Sequence, residues 1–138
     1  MHLVQQYNDH ACFGACLESF FLDLGQDFSH KEFIKNNLDL FNGGTKIEGA
    51  CFTDNFPKVA EKIGLKYEKI LSLRLSFNSK KETIFFSVFW NDSKSEKHCV
   101  RFSPREKNVI KVMNPANPNS LDSISKYWIK SIHKFTKP

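Results

Sequence analysis

Apolar positions along the chain follow a helical period first and a strand period afterwards. Cys12, Ala15, Cys16, Ser19, Phe20 and Leu24 recur at steps of three or four, which predicts a helix from about Ala11 to Leu24, stopped by Gly25. In "DFSHKEFIKNN", Ser29 and Glu32 stand in the S-x-x-E arrangement of a capping box, so a second short helix is expected to run to about Asn37. The glycine-rich stretch Phe41–Ala50 reads as a loop. A third helix is expected from near Thr53, with Pro57 in its first turn, Phe56, Val59, Ala60 and Ile63 turned inward, and Gly64 at its end.

Beyond Gly64 the period changes to two. "ILSLRLSF" (Ile70–Phe77) alternates, with Leu71, Leu73, Leu75 and Phe77 on one face. "TIFFSVFW" (Thr83–Trp90) is continuously β-prone, the pattern of a central strand buried on both faces. "HCVRF" (His98–Phe102) and "NVIKVM" (Asn108–Met113) form a hairpin pair through "SPREK", and "NPANPNS" is turn chemistry. The tail "LDSISKYWIKSIHKF" enters a helical turn at Trp128 and continues either as helix or as a last strand. Helices first and antiparallel strands after predict an α+β fold, and 138 residues fit one domain, 1–138.

Composition narrows the function classes. Fourteen phenylalanines and 41% hydrophobic residues are enough for a core. The net charge of +5 is scattered, with no basic stripe interleaved with aromatics, so no nucleic-acid partner is expected. The longest apolar run, "IFFSVFW", is too short to span a bilayer, and "MHLVQQYND" lacks the charged lead of a signal peptide. No membrane insertion is expected. The expected compartment is the cytoplasm, or the outside by a route that uses no cleavable signal. Cys12, Cys16, Cys51 and Cys99 are read as free thiols, and neither a metal site nor a cofactor is expected.

The candidate chemistry begins at Cys12. A thiol at a helix N-terminus meets unpaired N–H groups and the positive end of the dipole, both of which favour thiolate, whereas Cys16, one turn deeper, is expected to be buried and inert. A thiol nucleophile needs a base, and the base an orienting group. His98 opens a predicted strand after a polar loop. Asn114, sixteen residues later, ends the next strand, and a hairpin would place it beside His98. The other histidines suit the role less: His2 is terminal, His10 would point away from the sheet, His30 belongs to a surface helix and His133 to a polar tail. Gln6, six residues before Cys12, can donate to an oxyanion beside the Cys12 N–H.

This set, Gln6, Cys12, His98 and Asn114, resembles that of the papain-like cysteine peptidases. "QQYNDHACFGACLESFFLDLG" is similar to the Gln…Asp-Cys-Gly-x-Ala-Cys-Leu signature of the bacterial double-glycine leader peptidases. "FPKVAEKIGLKYEKI", "FFSVFW…KHCVRFS…NVIKVMNPA" and "SISKYWIKSI" resemble their later segments in order, so that the likeness covers nearly the whole chain. Asn114 stands where those enzymes usually carry aspartate, although papain carries asparagine. Phe13 replaces the glycine after their nucleophile, and Asp9 is displaced from Cys12 by "HA". The resemblance implies a papain-like fold, with helices packed on a C-terminal antiparallel sheet, and a monomeric cysteine peptidase acting on a peptide or protein. Two other functions use the same residues. One is a deamidase or acyltransferase effector, and the other a peptide-binding domain without catalysis.

Overall fold

A computed structural model describes residues 1–42, 47–72, 78–89, 97–104 and 109–138, with Lys97 described by its backbone alone. Helix α1 spans Cys12–Asp23, α2 His30–Lys35 and α3 Phe56–Lys62, the last entered through a 3₁₀ turn at Thr53–Asn55. Ser29 Oγ accepts from Glu32 N at 3.3 Å, which is one half of the expected capping box. Pro57 lies in the first turn of α3, and Gly25 and Gly64 take φ of 75° just past α1 and α3, where a left-handed residue closes a helix end.

Six strands follow: β1 (Lys66–Ile70), β2 (Glu82–Phe89), β3 (Lys97–Ser103), β4 (Ile110–Met113), β5 (Asp122–Ile124) and β6 (Ile129–Thr136). They form one antiparallel sheet in the order β1-β6-β2-β3-β4-β5. The first strand runs over Lys66–Ile70, where it pairs with β6 from Lys66↔Thr136 to Ile70↔Ile132; the strand expected over Ile70–Phe77 meets it at Ile70 and falls mostly outside the described residues. Leu71 is 91% exposed, and Leu73–Phe77 lie outside the described residues. The tail resolves into a 3₁₀ turn at Lys126–Trp128 followed by β6. This strand supplies β1 and β2 with a shared neighbour, and its hydrogen-bond ladders win over a further helical turn.

Strand β2, between β6 and β3, is buried on both faces because the sheet has apolar residues on each side. Phe85, Cys99, Met113 and Phe135 join α1, α2 and α3 in the larger core, whereas Ile84, Phe86, Val88, Val100, Val112, Ile124 and Ile132 alternate with them on the reverse face. Phe13 is the hub of the larger core: its ring stacks on Phe56 at 3.9 Å and 10° and meets Phe41, Phe85 and Phe135. Burying Phe13 fixes the rotation of α1 and so the direction in which the preceding residue, Cys12, is presented. A second clamp holds α1 to the sheet. Buried Arg101 donates from Nε to Thr83 Oγ1 (2.8 Å) and from Nη1 to Ser19 Oγ (2.8 Å) and Asp23 Oδ2 (2.6 Å). Among the described residues, no helix is long and apolar enough to cross a membrane.

Candidate active site

Cys12 begins α1, directly after the N-cap residue Ala11. The segment before it is held on three sides. Val4 N donates to Met113 Sδ (3.3 Å), Gln6 N to Pro115 O (2.9 Å), and Tyr7 N to His30 Nε2 (3.1 Å). The first two bonds lay this segment along the end of β4, beside Asn114. Asn8 completes the turn into the helix, its Oδ1 accepting from His10 N (2.9 Å) and its Nδ2 donating to Glu48 O (3.0 Å).

Cys12 and His98 line one cavity of about 480 Å³, together with Asp9, Ser87, Lys130 and others. The register of β3 and β4, Arg101↔Met113 through Ser103↔Lys111, carries the start of β3 past the end of β4. There His98 Nε2 meets Asn114 Oδ1 at 2.5 Å. Asn114 Oδ1 also accepts from Ala116 N at 3.0 Å. A backbone N–H can only donate, so the atom it faces is the amide oxygen, and the side chain cannot be turned over. His98 Nε2 is therefore the protonated ring nitrogen, and Nδ1 is the basic one in the neutral ring. The turn read from "NPANPNS" and the orienting group for His98 are thus built from one atom of one residue.

Gln6 is buried and donates from Nε2 to Asn8 O (2.9 Å), while its Oε1 has no partner among the described residues. It does not line the cavity that Cys12 and His98 share. One of its two amide hydrogens is thereby committed to the turn that leads into Cys12.

The electrostatics of the thiol depart from expectation. The Cys12 sulfur lies deep although the residue as a whole is half-buried, and burial pushes its thiol up to about 12. Proximity to Cys99 raises it further, and the N–H groups of Cys99, Phe13 and Cys12 itself act in the opposite direction. Loss of solvent outweighs the helix N-terminus here, so the resting thiol is protonated at neutral pH.

Other side chains are placed differently than their sequence positions suggest. His10 turns into the Cys12 cavity rather than away from it. His30 is buried against Glu18, with Nδ1 3.1 Å from Oε1. His133 belongs to the core of β6, between Tyr67 Oη (2.6 Å) and Ser131 Oγ (2.7 Å), where burial lowers it to about 4. All four cysteines are free. Cys16 is buried, its Sγ 3.7 Å from Cys99 O. Cys51 and Cys99 line the cavity with Cys12, an arrangement without a sequence signal, since "GACFTDN" carries no spacing that ties it to the first helix. No group of three or more His, Cys, Asp or Glu suited to a metal is found among the described residues.

No protein-family model and no curated protein matches the sequence. Among solved structures, the chain is similar to the peptidase domain of Streptococcus ComA, a bi-functional ABC transporter involved in a quorum-sensing pathway. The TM-score is 0.71 at 15% identity, over 99% of this chain and 97% of that one. The helices on a C-terminal antiparallel sheet are accordingly the papain-like cysteine peptidase fold, shared with that peptidase domain.

Proposed function

We propose that the chain is a thiol hydrolase that cleaves peptide bonds in a peptide or protein substrate, acting as a single domain and as a monomer. The observation that carries this reading is the shared cavity of Cys12 and His98, with His98 oriented by Asn114. Cys12 Sγ attacks the scissile carbonyl carbon while its proton passes to His98, and the carbonyl electrons move onto oxygen. The Cys12 N–H holds that oxyanion, and the remaining amide hydrogen of Gln6 joins it once that side chain, which rests off the cavity against Asn8 O, turns toward the substrate. As the tetrahedral adduct collapses, His98 returns its proton to the leaving amine, and an acyl-thioester remains on Cys12. Water, deprotonated by His98, then releases the acid and restores the thiol. Because the resting thiol is held protonated, proton transfer to His98 accompanies attack instead of preceding it. No cofactor enters any step. The proposed compartment is the cytoplasm, or the outside by a signal-independent route.

Two observations favour a second reading. A protonated Cys12 and a Gln6 amide already engaged by Asn8 also suit a domain that binds peptides without cutting them. Incubation with a panel of unstructured proteins, read by intact mass, separates the two: fragments that vanish with Cys12→Ala support hydrolysis. Retained, uncut complexes support binding, and an intact substrate heavier by about one mass unit reports deamidation through the same acyl-enzyme.

A further inference from the structure

A second thiol, that of Cys51, lines the same cavity as Cys12. Cys51 sits on the irregular segment 47–52, between the glycine-rich loop and the 3₁₀ turn. This segment is tied to the residues just before Cys12. Glu48 accepts from Tyr7 Oη (2.6 Å) and, through its carbonyl, from Asn8 Nδ2 (3.0 Å). Gly49, at φ +105°, lies so close that an added Cβ would stand 2.9 Å from Asn8 Oδ1 and 3.4 Å from the Ala11 nitrogen. The chain two residues before Cys51 therefore touches the residue before Cys12, and both thiols open into the same space. Both residues line the cavity, and a small oxidant entering it meets them there.

We propose that Cys51 is a resolving cysteine: when a hydroperoxide oxidises Cys12, Cys51 closes a reversible Cys12–Cys51 disulfide that protects the nucleophile from irreversible oxidation. The proposal rests on the role assigned to Cys12 above. In the first step the Cys12 proton passes to His98 and the sulfur attacks a peroxide oxygen. The O–O bond breaks, and the hydroxide that leaves takes the proton from His98 and departs as water, giving Cys12 sulfenic acid. In the second step the Cys51 sulfur attacks the Cys12 sulfur. The S–S bond forms as the S–O bond breaks, and the hydroxide leaves with the Cys51 proton as water. Two thiols and one hydrogen peroxide thus yield one disulfide and two waters, and a small dithiol reverses the change.

Cys99 and Cys16 are poorer partners. Cys99 is fixed in the β2–β3 ladder opposite Ser87, and Cys16 is fully buried inside α1. A disulfide needs Cβ atoms about 3.8 Å apart with a dihedral near 90°. Cys51 lies outside any helix or strand and so is not held by a hydrogen-bond ladder, as Cys99 and Cys16 are. Burial, together with the nearby Cys99 and Cys12 sulfurs, raises the Cys51 thiol, which disfavours its own direct attack on the peroxide.

Hydrogen peroxide is added in a graded series to the full chain, which is then read by intact mass and by non-reducing peptide mapping. The expected result is a loss of about two mass units, a cross-linked peptide pair containing Cys12 and Cys51, and full reversal by dithiothreitol. In Cys51→Ser the same dose adds about 32 mass units at Cys12, as a sulfinic acid that dithiothreitol does not remove. Oxyacids on Cys12 of the wild type without a cross-link, or a cross-link to Cys16 or Cys99, overturn the proposal and leave the hydrolase reading standing. A Cys12 inert to both peroxide and iodoacetamide overturns both.

Discussion

Asn114 Oδ1 does two jobs with one atom, accepting from Ala116 N and from His98 Nε2. Asn114→Ala removes an oriented hydrogen bond to a ring that becomes charged during the reaction, worth about 1.5–3 kcal/mol. The expected loss in kcat/KM is roughly tenfold to a hundredfold, with KM little changed, whereas Asn114→Asp keeps both acceptor roles and restores most of the activity. Steady-state kinetics on a cleaved substrate check this. An equal loss in the alanine and aspartate variants contradicts the orienting role. Cys12, His98 and Asn114 were legible in the sequence because each depends on local context: a helix start, a strand start and the Asn-Pro turn sixteen residues on. The protonation of Cys12 was not legible, because a helix N-terminus is a local property and desolvation is a tertiary one. The partner of Gln6 is illegible for a related reason, since its amide closes a turn onto Asn8 that no spacing rule announces.

The three helices, β2 and the β3–β4 hairpin could be read from periodicity, caps and turn residues. The first strand could not be read so well. "KYEKI" alternates only weakly and forms β1 because it is the stretch opposite β6, whereas the stronger alternation of Leu71, Leu73, Leu75 and Phe77 falls mostly outside the described residues. Strand β5, three residues long, is too short to leave a pattern and exists by pairing with β4. The segment carrying Cys51 depends on Gly49, whose positive φ and contact with Asn8 exclude a side chain. Gly49→Ala is expected to cost about 1–3 kcal/mol of stability. It is also expected to lower activity, because the displaced Asn8 turn carries Ala11 and Cys12 with it. Thermal unfolding and turnover measured on the same sample test this, and an unchanged melting temperature contradicts it.

Across the whole molecule, α1 is fastened to the sheet by Phe13 and Arg101, and β6 by a histidine read from sequence as part of a polar tail. Burial of His133 lowers it to about 4 from its ordinary 6.5. The unfolded chain therefore takes up a proton at a pH where the folded chain does not. The stability at stake is complete above about pH 6.5 and is lost as pH falls toward 4. Its size is of order 3 kcal/mol. Asp23 and Glu82, both held below their ordinary values, lose their contributions only at still lower pH. Denaturant unfolding at pH 7.5, 6 and 5 is expected to show the decline in the wild type and a flatter profile in His133→Gln; parallel profiles contradict it.

The central claim is that His98 takes the proton from a Cys12 thiol that burial otherwise keeps in place. The most direct measurement is the rate at which iodoacetamide alkylates Cys12 between pH 6 and 10, in the wild type and in His98→Ala, with the modified residue mapped. The account predicts that the wild type reacts at pH 7–8 faster by about a hundredfold, the lower reach of a positioned base, and that the variant keeps only a steady climb toward high pH. Superimposable profiles for the two proteins would contradict it.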